Sequence, residues 1–190
     1  MLLCAVNCTA QNADIRWLRD INLNRPRNLE GSMITLTNSA YVVSAAAPIT
    51  ELLAGYARHD SALVGKGYTT IAGLGFNFIV AFGLKYAVNR TRPYVTYPYL
   101  QPYQHDSDPS FPSGHSSFAF NTATSLYLSF PKWYVAVPAY AWAAGVGYSR
   151  LYLGMHYPSD VLAGATVGIG TSWLAFQGNK WLHQHRKYSH

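Results

Sequence analysis

Five apolar segments, at about residues 32–57, 68–88, 115–130, 133–149 and 159–177, alternate with polar stretches into which most of the chain's charge is gathered. Each segment reaches or approaches the ~20 helical residues that cross the hydrocarbon core of a bilayer. All are rich in Gly, Ala, Ser and Thr, which let membrane helices approach closely. Apart from the residues taken up below, the charges fall at Arg58-His59-Asp60 with Lys66, at Arg90, at Asp106 and Asp108, at Lys132 and at Lys180, while Glu51, Asn38, Asn77 and Asn121 are the polar interruptions. This segregation predicts an all-α helical bundle of about five transmembrane helices rather than a soluble helical core. Only 12% of the residues are charged, about half the usual share of a soluble domain, too few to cover a water-facing surface. A mean hydropathy near zero argues the other way, although polar ends dilute such an average.

The flanks read differently from the body. Residues 1–11 are apolar and small, with a cleavage-like context after Ala10, and read either as a signal-peptide remnant or as a disordered terminus. From Asp14 to about Asn22, Ile15, Trp17, Leu18 and Ile21, set against Arg16, Arg19 and Asp20, predict a short amphipathic helix, lying at a membrane interface or equally on an ordinary protein surface. With the linker that follows, it fills residues 12–31. The catalytic bundle is assigned to residues 32–180 and a basic, His-rich tail to residues 181–190. Cys4 and Cys8 lie too close to the amino terminus to frame the body. The net charge of +6 suits anionic headgroups or phosphorylated substrates. No nucleic-acid-binding motif is present, so nucleic acid is not expected as a partner, and no obligatory protein partner is inferred. The Pro- and Tyr-rich connection between Asn89 and Pro112 has too many prolines for a helix and is expected to form a lid over a site.

Three clusters carry the chemistry. Lys85 at the end of the second apolar segment would, alone, read as an anchor snorkelling to the interface; Arg92-Pro93 shortly after it gives a second cation at a fixed spacing. Pro112-Ser113-Gly114-His115 opens the third segment, and a helix start of this composition offers backbone N–H groups and the positive end of the helix dipole to an anion. The third cluster is Ser149-Arg150 with His156 and Asp160. If a helix starts near Pro158, His156 lies just before it and Asp160 just inside, a base with its orienting carboxylate. His115, His156 and Asp160 could also form a three-ligand metal site. Three cations, Lys85, Arg92 and Arg150, would repel a metal and welcome an anion, so neither a metal nor a cofactor is expected.

Taken together, Lys85-x6-Arg92-Pro93, Pro112-Ser113-Gly114-His115 and Ser149-Arg150-x5-His156-x3-Asp160 resemble the complete three-part signature of the type 2 phosphatidic acid phosphatase (PAP2) superfamily. The resemblance spans residues 85 to 160 without a departure. It implies a helical bundle, a metal-independent reaction and a phosphohistidine intermediate. Under it, Lys85, Arg92 and Arg150 hold the phosphoryl oxygens with Ser113 and the Gly114 N–H; His156 is the nucleophile, oriented by Asp160; and His115 is the general acid. The implied substrate is a lipid phosphate or diphosphate.

Segment order places every one of these groups at one end of the bundle. The other end carries Arg58, Lys66, Lys132, Lys180 and the tail, so by the excess of Lys and Arg in cytoplasmic connections the site is expected to face the periplasm or the outside of an integral membrane protein. Competing readings are a soluble secreted acid phosphatase on the same scaffold, a haloperoxidase, for which the chain is short, and a non-enzymatic membrane lipid-binding protein with a relic site.

Overall fold

A computed structural model of the protein describes residues 2–187. The helices are α1 (Leu2–Leu23), α2 (Glu30–Ala57), α3 (Ser61–Val88), the single turn α4 (Pro93–Thr96), α5 (Gly114–Ser129), α6 (Trp133–Tyr152) and α7 (Pro158–Lys187), with a 3-10 turn at Arg27–Leu29. Among the described residues there is no strand, so the chain is all-α as expected.

Local chemistry explains where the helices differ from expectation. α3 starts seven residues before the expected 68 because Asp60 caps it, its carboxylate accepting from the Ala62 and Leu63 N–H groups at 3.0 Å each. α4 is a helical turn inside the connection expected to contain none; Pro93 sits at its first position, where a missing N–H costs nothing. Residues 2–11, expected to be a signal-peptide remnant or a disordered terminus, form the first part of α1, which departs from the second of these readings only; Met1 lies outside the described residues. The expected tail is helical through Lys187, and residues 188–190 lie outside the described residues.

α5 is the central element, in contact with α2, α3, α6 and α7. Its buried side chains are all Ser, Thr, Asn or Ala because they face other helices. Ser117 donates to Asn77 at 2.6 Å, Asn121 donates to Thr171 at 3.0 Å, Thr122 donates to Ser44 at 2.6 Å, and Ser125 pairs with Ser172 at 2.9 Å. Three of the four polar interruptions in the apolar segments are thereby explained. Asn77, Asn121 and Glu51, the last accepting from Thr70 at 2.8 Å, are buried and hydrogen-bonded, whereas Asn38 is exposed. Large apolar side chains lie outside: Val42 is 69% exposed, Ile79 68% and Trp133 76%. A polar interior within an apolar exterior suits lipid as solvent. Two stretches, Arg27–Ala57 and Ser61–Thr96, are long and apolar enough by themselves to cross a membrane. α5, with only 16 residues and a buried polar face, does not read as a span on its own.

α1 packs on one end of the bundle. Leu18 is fully buried in a cluster with Tyr94, Leu100, Tyr152, Leu153, Met155 and Tyr157. Asn22 and Arg25 donate to the Tyr152 carbonyl at 3.0 and 2.6 Å, satisfying the carboxyl end of α6.

Candidate active site

The end of the bundle covered by α1 is where α3 and α6 stop and α5 and α7 start. After α6, Gly154 adopts a positive φ of 67°, and a Cβ there would come within 2.9 Å of the Asn22 amide. The turn continues with Met155 N–H donating to the Arg150 carbonyl at 3.0 Å, and delivers His156, 2% exposed, just before Pro158 opens α7. The His156 Nδ1 donates to the Ser110 carbonyl at 2.8 Å. This leaves Nε2 with its lone pair. Asp160 Oδ2 is 3.7 Å from Nδ1, so the ring donates to the Ser110 carbonyl in place of the direct hydrogen bond expected to Asp160. Asp160 is fully buried and accepts instead from the Ser110 hydroxyl at 2.5 Å, the Tyr157 N–H at 3.0 Å and Arg90 at 2.7 Å.

The cations gather alongside. Arg92, whose side chain is 4% exposed, uses Nη2 on Asp108 Oδ1 (2.5 Å) and Asp106 Oδ2 (3.1 Å), Nε on the Asp108 carbonyl (2.9 Å) and Nη1 on the Met155 carbonyl next to His156 (3.2 Å). Lys85 pairs with the other oxygen of Asp108. The Asp108 carboxylate thus bridges two cations, one oxygen on each. Arg150, 1% exposed, donates to Thr37 at 3.0 Å and keeps a buried Nε without a partner; among the described residues no carboxylate forms an ion pair with it.

At the start of α5, Ser113 caps the helix. Its hydroxyl accepts from the Ser116 N–H at 3.5 Å, and its N–H donates to the Asp160 carbonyl at 3.0 Å, tying α5 to α7. A Cβ at Gly114 would lie 3.3 Å from the Tyr41 hydroxyl, and the His115 ring packs on Tyr41 with centroids 4.6 Å apart. A cavity of about 220 Å³ lined by Tyr41, Phe78, Phe82, Lys85, Asp108 and Phe118 runs from Lys85 along an aromatic wall. Among the described residues no three His, Cys, Asp or Glu side chains converge to hold a metal ion.

Electrostatics follow from this placement. Burial holds the His156 imidazole down to about 4; Asp160 opposes that effect, and Arg150 and Arg92 add to it. The ring is neutral at pH 7. Burial would raise the Asp108 carboxyl, but Lys85 and Arg92 outweigh it and bring the group to about 2. Burial likewise opposes the charge on Arg90, and Asp160 and Asp14 more than compensate, lifting it above the ordinary arginine value.

All eight residues named from sequence lie at this end. Lys85 and Arg92 are joined through Asp108, Arg92 reaches the carbonyl before His156, and Ser113 bonds to Asp160. Sequence reasoning missed Ser110, Asp108, Arg90 and Asp14. Arg90, between Lys85 and Arg92, and Ser110, three residues before Ser113, were within reach of the motif spacing; Asp14, 76 residues before Arg90, was not.

A family model described as the PAP2 superfamily matches residues 66–184. An undecaprenyl-diphosphatase of Sulfolobus acidocaldarius is 32% identical over 167 residues, covering 86% of this chain and 75% of that protein. The undecaprenyl-diphosphatase BcrC of Bacillus subtilis is 31% identical over 149 residues, covering 78% and 74%. The crystal structure of a transmembrane PAP2 type phosphatidylglycerolphosphate phosphatase from Bacillus subtilis superposes with a TM-score of 0.73 at 26% identity, covering 90% of this chain and 87% of that one.

Proposed function

This chain belongs to the PAP2 superfamily and is a membrane phosphatase of that type, and on that premise we propose that it hydrolyses a lipid phosphate or diphosphate, without a metal ion, through a phosphohistidine on His156. The observation that carries the lipid reading is the aromatic cavity beginning at Lys85 and Gly114 in a bundle whose exterior is apolar. A phosphorylated headgroup would rest on the cations while its hydrocarbon tail ran along Phe78, Phe82 and Phe118 into lipid. The undecaprenyl-diphosphatases among its relatives favour an amphiphile of that kind.

In this reading Lys85, Arg92, Arg150, Ser113 and the Gly114 N–H neutralise the phosphoryl oxygens, with the amino end of α5 adding its dipole. The neutral Nε2 of His156 attacks phosphorus in line, and the bond to the leaving oxygen breaks as that oxygen takes a proton from His115. Water, giving a proton back to His115, then attacks phosphorus, breaks the P–N bond and releases inorganic phosphate. Asp160 and Ser110 hold the His156 ring for both steps. The five spans of this reading are α2, α3, α5, α6 and α7, with the site on the periplasmic or outer side and Arg58, Lys66, Lys132 and Lys180 in the cytoplasm.

The test is phosphate release by the purified protein in detergent, with EDTA present, from undecaprenyl diphosphate, phosphatidylglycerophosphate, lipid A phosphate and phosphatidate. Turnover of at least one, undiminished by EDTA, is expected. Failure on all four, or activity lost to EDTA and restored by a divalent cation, would overturn it.

A further inference from the structure

We propose that Arg90 is a positioning residue for the His156–Asp160 pair and that α1, through Asp14, holds Arg90 in place, so that the amino-terminal helix is a working part of the active site. This inference rests on His156 being the nucleophile.

Arg90 acts on the pair by two routes. Its side chain donates from Nη1 to Asp160 Oδ1 at 2.7 Å and to the Ser159 hydroxyl at 2.6 Å, and its guanidinium stacks 3.8 Å over the Tyr157 ring. A fully buried carboxylate is costly unless paired, and among the described residues Arg90 is the arginine or lysine that pairs with Asp160. Its backbone carbonyl accepts from the Ser110 N–H at 2.7 Å. Ser110 in turn bonds Asp160 through its hydroxyl and His156 through its carbonyl. One residue thus fixes both groups that flank the nucleophile's Nδ1.

Asp14 completes the arrangement from outside the bundle. Its Oδ2 accepts from Arg90 Nη2 at 2.8 Å, its Oδ1 accepts from the Ser159 N–H at 2.8 Å, and the Ser159 hydroxyl donates to Oδ2 as well. It therefore aims the guanidinium and satisfies an otherwise open donor in the first turn of α7. The planar fork of arginine serves two carboxylates at once, which a lysine ammonium on a single stem does not reproduce. Leu18, buried one turn further along α1, anchors the helix at this distance.

The test uses the full chain in detergent and the fastest substrate of the panel above, with His156→Ala as reference. Arg90→Gln is expected to lower kcat about 100-fold, the cost typical of a displaced reacting group, while KM and the inhibition constant of inorganic phosphate, which report the cation cradle, stay within about twofold. Arg90→Lys should recover only part of the loss. Asp14→Asn should lower kcat about tenfold alone and clearly less than tenfold in the Arg90→Gln background, since the Arg90–Asp14 contact is shared while the contacts to Ser159 belong to Asp14 alone. The groups facing His156 are Asp160 on α7, Arg150 on α6, His115 on α5 and Arg92 before α4. Removing the Arg90 charge leaves Asp160 freer to favour the imidazolium, so the acid limb of kcat/KM should move to higher pH in Arg90→Gln. A kcat within threefold of wild type, a loss shared equally by phosphate affinity, or additive effects of the two variants would overturn the proposal. Should Arg90→Gln fail to fold, Asp14→Asn and Arg90→Lys decide by the same criteria. Turnover retained by His156→Ala would instead sink the nucleophile assignment, whereas a dead His156→Ala beside a fully active Arg90→Gln would sink only the role of Arg90.

Discussion

Asp108 bridges Lys85 and Arg92 with the two oxygens of one carboxylate, so if these cations hold the phosphoryl group as proposed, it must displace a tethered competitor. Asp108→Asn should therefore tighten inhibition by inorganic phosphate about tenfold, as expected for loss of one charge-assisted hydrogen bond to the competitor; unchanged inhibition would show that the carboxylate leaves the cradle at no cost. His156 makes a second prediction. Held at about 4 by burial and by Arg150 and Arg92, the imidazole stays neutral until the pH falls through that value, and protonation below it would remove the proposed nucleophile. Once the substrate's own ionisation is divided out, the acid limb of kcat/KM should lie near pH 4. A limb near the unperturbed histidine value of about 6.5 would mean that the attacking group is not this buried ring. The residues of the three motifs were legible because the chemistry restricts their type and the helix ends restrict their spacing. Ser110 and Asp14 were not, since a serine carbonyl and a distant carboxylate acquire their meaning only from what the fold brings beside them.

α5 and α7 carry the two halves of the site and cross where neither has a side chain to spare. A Cβ at Gly168 would lie 2.2 Å from the Ser117 carbonyl oxygen and 2.8 Å from the Asn121 nitrogen, whereas one at Gly170 would meet nothing within 4 Å. Gly168→Ala must push α5 away from α7, separating Ser113 and His115 from Asp160. It is expected to destabilise the protein by about 1–3 kcal/mol, read as a lower midpoint of thermal unfolding in detergent, and to lower kcat, while Gly170→Ala changes neither. Equal behaviour of the two variants would contradict this crossing. The apolar segments located α2, α3, α5, α6 and α7 from sequence. The starts of α3 and α4 escaped that reading because a single aspartate cap and a helix-opening proline set them, not hydrophobicity. α1 was read as a helix lying on a membrane interface or a protein surface; the burial of Leu18 against α6 and the connections around it makes it part of the bundle's end.

Across the molecule, the residues proposed for catalysis collect at one end and Arg58, Lys66, Lys132 and Lys180 at the other. The orientation that follows can be read by impermeant maleimide labelling in intact cells, with Cys4 and Cys8 replaced by serine. Ser107→Cys, exposed beside the site, should label from outside, and His59→Cys, exposed in the α2–α3 turn, only after lysis; the reverse pattern would invert the proposed topology. The chemistry itself is open to one decisive trapping experiment: rapid acid-free quenching of the purified protein, in EDTA, with substrate carrying labelled phosphate. A base-stable, acid-labile phosphoryl group on His156, lost in His156→Ala together with turnover, is the expected result. Phosphate release with no covalent label, or with label that persists in His156→Ala, would contradict it.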